Sequence, residues 1–260
     1  MDLELDGRVA VVTGAGRGIG LATTRCLVDA GVRVVAGVRT SSQELDALAA
    51  GGSVEVVLGD LAEPESPARL VAAAGPRLDI LVNNVGAVTP RTGGFLEITD
   101  AQWEATLQLH LMTAVRAIRA ALPPMLAAGR GVIATVGSVN AFLPDPVVLD
   151  YGAAKAALVN MLKALSKEVG PRGIRVVTVN PGPVATDLWL GRGGVAARLS
   201  QASGHSAEQI AQSAVAGTAT GRFTTPEEVA RLLVLLASDR AANVTGAGLT
   251  VDGGLVPTLG

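Results

Sequence analysis

Seven short runs of β-branched and other apolar residues alternate with longer segments rich in Ala and Leu along almost the whole chain. Each run is continuously apolar, which is typical of strands that are buried on both faces, as in a parallel sheet. The segments between the runs are long enough to form helices that connect parallel strands. We therefore predict a doubly wound α/β fold, in which a seven-stranded parallel sheet carries helices on both faces. The predicted strands are 9–12, 32–36, 54–58, 80–82, 132–136, 176–179 and 249–251.

Helix signals lie between the predicted strands. Residues 19–30 follow the first strand, and residues 153–169 follow the fifth. Thr99 to Gln102 and Thr225 to Glu228 have the spacing of capping boxes, so a helix is expected to begin at each. Right-handed crossovers place the carboxyl ends of all the strands at one edge of the sheet, and ligands bind there.

The 260 residues contain no internal repeat and no low-complexity linker, so we predict one domain over residues 1–260. Residues 181–224 interrupt the alternation, because they are rich in Gly, Ala, Ser and Thr and show little periodicity. We interpret residues 187–224 as a mobile flap with short helices that covers a substrate site. A surface excursion without a function is the alternative.

Composition excludes several classes of function. The formal net charge is −2 and the chain has six aromatic residues and no basic run, so we expect no nucleic-acid partner. One cysteine, Cys26, cannot form an internal disulfide, and two histidines with one cysteine cannot build a Cys/His zinc cluster, so we expect no metal. Residues 1–6 are acidic, unlike a targeting peptide, and no uncharged apolar stretch reaches the ~18 residues of a membrane span. These features predict a cytoplasmic protein without a membrane partner.

A glycine-rich turn, Thr13 to Gly20, follows the first predicted strand and opens a helix. Glycines allow the backbone to approach a pyrophosphate closely, and a helix N-terminus offers free N–H groups to it. The Gly-x-x-x-Gly-x-Gly spacing differs from the Gly-x-Gly-x-x-Gly fingerprint and lacks the Gly-Lys ending of a P-loop. The turn therefore indicates a phosphate cradle, with a tight strand–helix connection as the alternative.

Tyr151 and Lys155 are four residues apart, so they lie side by side on one helix face. A phenol is a poor base at its usual pKa of about 10, and a neighbouring ammonium favours the phenolate. The alternative, an incidental polar pair, is disfavoured because Tyr151 is the only tyrosine of the chain. Ser138 ends the fifth strand, where a hydroxyl can donate to a carbonyl oxygen. It does not belong to a Gly-x-Ser-x-Gly elbow, which argues against a hydrolase.

In these motifs the chain resembles the short-chain dehydrogenase/reductase family, and within it the NADP(H)-dependent ketoacyl reductases. The resemblance covers nearly the whole chain. It includes Asp60-Leu61 after the third strand, residues 83–86 after the fourth and residues 180–186 after the sixth. Val85 stands where the family usually has Ala. The resemblance implies one Rossmann-like domain and hydride transfer between NADP(H) and a carbonyl or alcohol carbon.

Carried over to this chain, the resemblance implies catalytic roles for Ser138, Tyr151 and Lys155. Tyr151 would exchange the proton with the substrate oxygen, and Ser138 would orient the carbonyl. Lys155 would hold the nicotinamide ribose and lower the pKa of Tyr151. The cofactor-binding residues that it implies are Gly14, Gly16, Arg17, Gly18, Ile19, Gly20, Arg39, Asp60, Leu61, Asn84, Val85, Gly86, Tyr151, Lys155, Pro181, Gly182, Val184 and Thr186.

The end of the second strand predicts a preference for NADP(H). Val38 occupies the position where NAD-dependent enzymes usually carry an acidic residue for the adenosine ribose. Arg39 follows it, and Arg17 approaches the same ribose from the glycine turn. Two guanidinium groups without an opposing carboxylate suit a 2′-phosphate.

His110 stands where the family usually has an Asn that helps to hold a water beside the catalytic lysine. We expect it either to relay protons or to be a buried structural histidine. The substrate crevice should be formed by 88–95, 140–149 and 188–190, which are mainly apolar or small, with Arg91 or Arg192 available for the phosphates of a thioester. An apolar ketone or secondary alcohol is thus the expected substrate, and a catalytically silent cofactor-binding relative is the alternative.

The family commonly forms dimers and tetramers through the two helices that follow the fourth and fifth strands. These correspond here to residues 103–126 and 153–169. Small residues on the second helix would permit close approach to a partner, so a homotetramer is the expected assembly.

Overall fold

A computed structural model describes residues 2–258, so residues 1 and 259–260 of the predicted domain lie outside the described part. Its sheet has seven strands in the order β3-β2-β1-β4-β5-β6-β7, and each pairing is parallel. The predicted fold class is confirmed, with one strand at each predicted run. The strands are β1 (Val9–Thr13), β2 (Arg33–Val38), β3 (Val54–Leu58), β4 (Ile80–Asn83), β5 (Gly131–Val136), β6 (Ile174–Pro181) and β7 (Ala247–Val251).

Helices connect the strands and cover both faces of the sheet. They are α1 (Gly18–Asp29), α2 (Gln43–Ala50), α3 (Ser66–Ala72), α4 (Asp100–Leu107), α5 (Thr113–Ala128), α6 (Leu149–Val169), α7 (Asp187–Leu190), α8 (Val195–Ser203), α9 (Ala207–Ala216) and α10 (Pro226–Ala237). Both predicted capping boxes are present, at the starts of α4 and α10. The flap region contains α7, α8 and α9, in agreement with the short helices expected there.

Two apolar layers lie on opposite faces of the sheet, because successive strand residues point to opposite sides. Val12 and Val34 belong to the layer that includes Leu233 of α10. Val11 and Val35 belong to the other layer, which includes α5 and α6 residues. All five residues of β1 are buried, which accounts for its continuous apolar run. β1 pairs with both β2 and β4, so the chain order reverses there and opens a crevice at the carboxyl edge.

A π-helical turn, Gln108–Met112, joins α4 and α5 into one helix over residues 100–128. By length and composition alone this helix could cross a membrane, although a third of its most apolar window is buried in the fold. Ala117, Ala121 and Met125 on its inner face have no exposed surface and pack in the sheet's core. That packing is typical of a core helix of a globular fold.

The helix that carries Tyr151 begins earlier than predicted. The sequence pattern suggested a start near residue 153, whereas α6 begins at Leu149. A 3-10 turn, Pro146–Val148, leads directly into it, and the side chain of Asp145 caps that turn by accepting from the backbone N–H of Val147. Tyr151 therefore lies in the first turn of α6.

Candidate active site

A cavity of ≈ 1080 Å³ lies at the carboxyl edge of the sheet, where the predicted ligand crevice was expected. The loops that follow strands β1 to β6 and the helices of residues 187–216 surround it. Of the predicted site residues, the cavity is lined by Gly14, Gly16, Arg17, Gly18, Ile19, Arg39, Asp60, Leu61, Asn84, Val85, Gly86, Ser138, Tyr151, Lys155, Pro181, Gly182, Val184 and Thr186. The structure thus brings together residues from seven separate segments of the chain.

The glycine turn has the backbone shape of a phosphate cradle. Gly14 and Gly18 have φ angles of +68° and +53°, which side chains with a Cβ atom rarely adopt. Helix α1 starts at Gly18, and no side chain caps it, since Arg17 at the N-cap makes no capping hydrogen bond. The first N–H groups of α1 are thus available to a phosphate beside the cavity, and the positive end of the helix dipole favours one.

Gly20 differs from the prediction, because it does not line the cavity. It is buried behind the turn, where an added Cβ would lie 2.1 Å from the carbonyl oxygen of Gly14 and 2.5 Å from Nδ2 of Asn84. Gly20 therefore allows the first turn of α1 to pack closely on the loop after β1. Its contribution to a bound cofactor is indirect.

Asn84 fixes the same turn from the neighbouring strand end. Its Nδ2 donates to the carbonyl oxygens of Thr13 and Gly14, each at 3.0 Å. Its backbone N–H donates to the hydroxyl of Thr13 at 2.9 Å. The Asn84 amide is thus engaged with the protein backbone, and Val85 beside it lies against Gly14.

The two predicted arginines lie at the end of the cavity beside the glycine turn. Arg17 and Arg39 are exposed at its rim, and neither forms an ion pair with any residue in 2–258. Val38 is buried against the glycine turn, and a Cβ on Gly16 would approach its Cγ1 to 3.3 Å. Sequence reasoning missed Thr40, Ser41, Ser42 and Glu44, which line the same rim.

Ser138, Tyr151 and Lys155 meet at the other end of the cavity. Ser138 is buried at the end of β5, and its hydroxyl accepts a hydrogen bond from the backbone N–H of Asn140 at 3.1 Å. The Nζ of Lys155 donates to the carbonyl oxygen of Val136 at 2.8 Å and lies 5.8 Å from the centroid of the Tyr151 ring. The structure therefore brings the predicted trio together at one end of the cavity.

Burial dominates the electrostatics of this trio. It lowers the pKa of Lys155 to about 8, because an ammonium is poorly solvated there. Burial also raises the pKa of Tyr151 above its usual value, and the hydrogen bond with Ser138 lowers it only in part. The lowering of this pKa that was expected from Lys155 does not appear in the net shift, which burial dominates.

His110 lies in the π turn and is 3 % exposed. Its ring meets the Tyr151 ring edge to face, with the centroids 5.0 Å apart. Burial, followed by the charge of Lys155, lowers the pKa of His110 to about 3. Its Nδ1 has no hydrogen-bond partner among residues 2–258. Of the two alternatives raised by the sequence, the buried, neutral histidine describes its environment.

The end of the cavity beside the trio is mainly apolar. The predicted crevice included more residues than line the cavity. From the predicted segments it includes Val88, Asn140 and 143–148, together with Leu188 and Trp189. Residues 89–95 do not line it, and Phe95 and Leu190 are exposed by 61 % and 50 %. Val195, Leu199, Ala214 and Leu255 complete the lining from the flap and the end of the chain, which the sequence did not indicate.

The cations proposed for thioester phosphates do not reach this cavity. Arg91 is turned away into a buried ion pair with Asp150, and Arg192 is exposed outside the lining. No sequence signal indicates this pair, because the two residues are 59 positions apart. Among residues 2–258, no group of His, Cys, Asp and Glu could hold a metal ion.

Comparisons with known proteins agree with this site. A protein-family model described as enoyl-(acyl carrier protein) reductase matches residues 14–256. D-threitol dehydrogenase of Mycolicibacterium smegmatis is 36% identical over 97% of this chain and 94% of its own length. The 3-oxoacyl-(acyl-carrier-protein) reductase of Thermotoga maritima is 32% identical over 98% of this chain and 100% of its own.

Solved structures extend the similarity to the whole architecture. L-sorbose reductase from Gluconobacter frateurii, complexed with NADPH and L-sorbose, superposes with a TM-score of 0.90 at 33% identity and covers all of both chains. A gluconate 5-dehydrogenase-like protein from Beutenbergia cavernae, with bound NADP at low occupancy, has a TM-score of 0.86 at 35% identity. The alignments cover 99% of this chain and 100% of that one.

Proposed function

Because the chain belongs to the short-chain dehydrogenase/reductase family, we propose that it is an NADP(H)-dependent oxidoreductase that interconverts a mainly apolar ketone and its secondary alcohol. The meeting of Ser138, Tyr151 and Lys155 at one end of a dinucleotide-sized cavity carries this proposal. Relatives named as dehydrogenases and reductases at 32–36% identity support the same reaction class.

NADP(H) fits the residues that are present. The left-handed glycines and the uncapped N-terminus of α1 suit the pyrophosphate. Arg17 and Arg39, with Thr40 and Ser42 beside them, suit the 2′-phosphate. When bound, the cofactor supplies or accepts the hydride at its nicotinamide.

The side chains of the trio handle the substrate oxygen. Ser138 donates a hydrogen bond to the carbonyl oxygen and polarises the C=O bond. Tyr151 gives its phenolic proton to the oxygen as negative charge develops there, or removes the alcohol proton in the reverse direction. Lys155 is held by Val136 beside the phenol, where it positions the nicotinamide ribose and stabilises negative charge on Tyr151.

An apolar substrate is supported by the lining around the reacting end. Val88, Leu143, Val147 and Leu188 present hydrocarbon surface. Asn140 is occupied, since its Nδ2 donates to the carbonyl oxygen of Leu143 at 3.3 Å. A sugar needs many hydrogen-bond partners, and leaving its hydroxyls unpaired in this surface would be costly. Residues 187–224 act as the flap that closes over the substrate.

We also propose that the protein forms a homotetramer and is cytoplasmic. The long helix of residues 100–128 leaves apolar surface outside the core, and the exposed small residues Ala153 and Ala157 of α6 permit close helix approach. This surface supports a homotetramer. Light scattering at micromolar concentration would test the assembly, and a monomer would contradict it.

The lone Cys26 supports a reducing, cytoplasmic setting. The whole chain 1–260 acts as one catalytic domain.

A substrate screen tests the reaction. We expect loss of NADPH absorbance with medium-length apolar ketones and little or none with polyols or ketosugars. Reduction of sugars in preference to apolar ketones would contradict the substrate class. NADPH binding without turnover of any ketone or alcohol in the panel would favour the catalytically silent alternative.

A further inference from the structure

A buried ion pair lies one residue before Tyr151. Asp150 is 1 % exposed, and one of its carboxylate oxygens accepts hydrogen bonds from Arg91, through Nε at 3.1 Å and through Nη2. The same oxygen accepts from the Thr106 hydroxyl at 2.7 Å. The other oxygen accepts from the backbone N–H of Tyr151 at 3.0 Å. The carboxylate is thus satisfied by four donors and is withdrawn from solvent.

These donors come from three segments that surround the catalytic phenol. Arg91 belongs to the loop after β4, and its backbone N–H also donates to the carbonyl oxygen of Val147 at 2.7 Å. Thr106 lies in α4, just before the π turn that carries His110. Tyr151 lies in the first turn of α6. One carboxylate therefore ties the loop after β4 and the helix of His110 to the first turn of α6, which carries the phenol.

The groups around Tyr151 indicate why Arg91 matters for the protonation of the phenol. The hydroxyl of Ser138 faces the phenol from β5, neutral His110 from the π turn and the ammonium of Lys155 from α6. Asp150 carries a negative charge at the adjacent residue, and a carboxylate left unpaired there would disfavour the phenolate. The guanidinium of Arg91, whose side chain is 11 % exposed, cancels that charge inside the protein.

Resting on the proposed function, we propose that Arg91 and Asp150 are positioning residues for Tyr151. The pair fixes the first turn of α6 against the loop after β4, and Arg91 neutralises Asp150 so that the phenol can lose and regain its proton. Stability alone is a weak reason for a buried ion pair, since apolar replacements are often as stable. A role in positioning the phenol accounts for the place of the Arg91–Asp150 pair, one residue before Tyr151.

Tyr151 is the only tyrosine, so the ultraviolet absorbance of the phenolate reports on it alone and needs no turnover. We expect Arg91→Met to raise the midpoint of this titration by about one pH unit, because Asp150 is left unpaired. Asp150→Asn should lower the midpoint, because the guanidinium then favours the phenolate. The double variant Arg91→Met/Asp150→Asn should return close to the wild-type midpoint. Arg231→Met, which removes an exposed arginine of α10, is the matched control and should not move it.

Alcohol oxidation provides the second readout, because it requires the phenolate. In Arg91→Met, kcat for oxidation near neutral pH should fall about tenfold, the change that one pKa unit gives, while KM for NADP+ is unchanged. Arg91→Lys, which keeps the charge, should recover part of kcat. Melting temperature and NADPH affinity establish that each variant is folded. If Arg91→Met does not fold, the opposite shift in Asp150→Asn still decides the question.

An unchanged midpoint in Arg91→Met and Asp150→Asn, or a double variant that stays shifted, would overturn this role. Failure of the proposed function has a different signature. In that case the midpoints move as described, while the wild-type protein turns over no ketone or alcohol.

Discussion

The imidazole of His110 packs edge to face on the ring of Tyr151, with centroids 5.0 Å apart and an interplanar angle of 87°. The contact exists because a π turn at Gln108–Met112 adds a residue to the helix and turns His110 inward. The histidine is thereby buried beside the catalytic phenol, with its Nδ1 unpaired within the described chain. Its protonation therefore bears on both stability and catalysis.

The low pKa of His110, about 3, predicts an acid-sensitive fold. The unfolded chain would protonate this histidine near its ordinary value of 6.5, whereas the folded protein keeps it neutral. The unfolded state therefore binds more protons between pH 6.5 and 3, so stability is full above 6.5 and is lost as pH falls towards 3. His110→Asn should lose less stability than wild type over this range, as measured by denaturant unfolding at each pH. Parallel losses in both proteins would contradict a neutral His110.

The same pKa predicts the role of His110 in the pH–rate profile. A histidine that stays neutral above pH 5 contributes no titration of its own to kcat in the neutral range. His110→Asn should therefore keep the inflection points of the wild-type profile, even if kcat changes through altered packing on Tyr151. Loss of an inflection near pH 6–7 in the variant would show that His110 titrates during turnover.

Gly20 offers a test of the cradle that does not involve the trio. Gly20→Ala would place a Cβ 2.1 Å from the Gly14 carbonyl oxygen, so the glycine turn must shift. We expect NADPH affinity to fall at least about tenfold, together with a loss of about 1–3 kcal/mol in unfolding free energy. The matched control is Gly193→Ala, where an added Cβ meets nothing within 4 Å. Equal NADPH affinity in the two variants, measured by nucleotide fluorescence, would contradict the close-packed cradle.

Cofactor selectivity should depend on Val38, Arg17 and Arg39. One charge-assisted hydrogen bond contributes roughly 1.5–3 kcal/mol, so kcat/KM should favour NADPH over NADH by more than about tenfold. Val38→Asp combined with Arg39→Ser should reverse the preference, because the new carboxylate repels a 2′-phosphate and accepts from the ribose hydroxyls. Equal use of both cofactors by the wild-type enzyme would show that these arginines do not read the phosphate.

The strands and the trio were predictable because their signals are local. A continuous apolar run such as Val9–Val12 reports directly on burial, and the Tyr151–Lys155 spacing reports on one helix face. That Gly20 does not line the cavity could not be predicted, because the sequence indicates the need for a glycine without saying what its missing Cβ avoids. Its close neighbour, the Asn84 amide, comes from a strand about 60 residues further along the chain.

Contacts between distant segments of the chain could not be predicted from the sequence. The Arg91–Asp150 pair joins the loop after β4 to the first turn of α6, so neither pattern nor propensity indicates it. The pKa of Tyr151 could not be predicted either, because burial by the assembled fold, rather than the neighbouring Lys155, dominates its shift. The cavity lining from Ala214 and Leu255 also depends on how the flap and the end of the chain fold back.

Single-turnover reduction of an apolar ketone by preloaded NADPH, compared between wild type and Tyr151→Phe, tests the central claim most directly. The substitution removes one hydroxyl and leaves the ring to pack on His110, so the fold and NADPH affinity should persist. The account predicts rapid NADPH oxidation in wild type and a loss of at least about 10³-fold in Tyr151→Phe, with the dissociation constant for NADPH within about threefold of wild type. Oxidation of NADPH by Tyr151→Phe at close to the wild-type rate would contradict it.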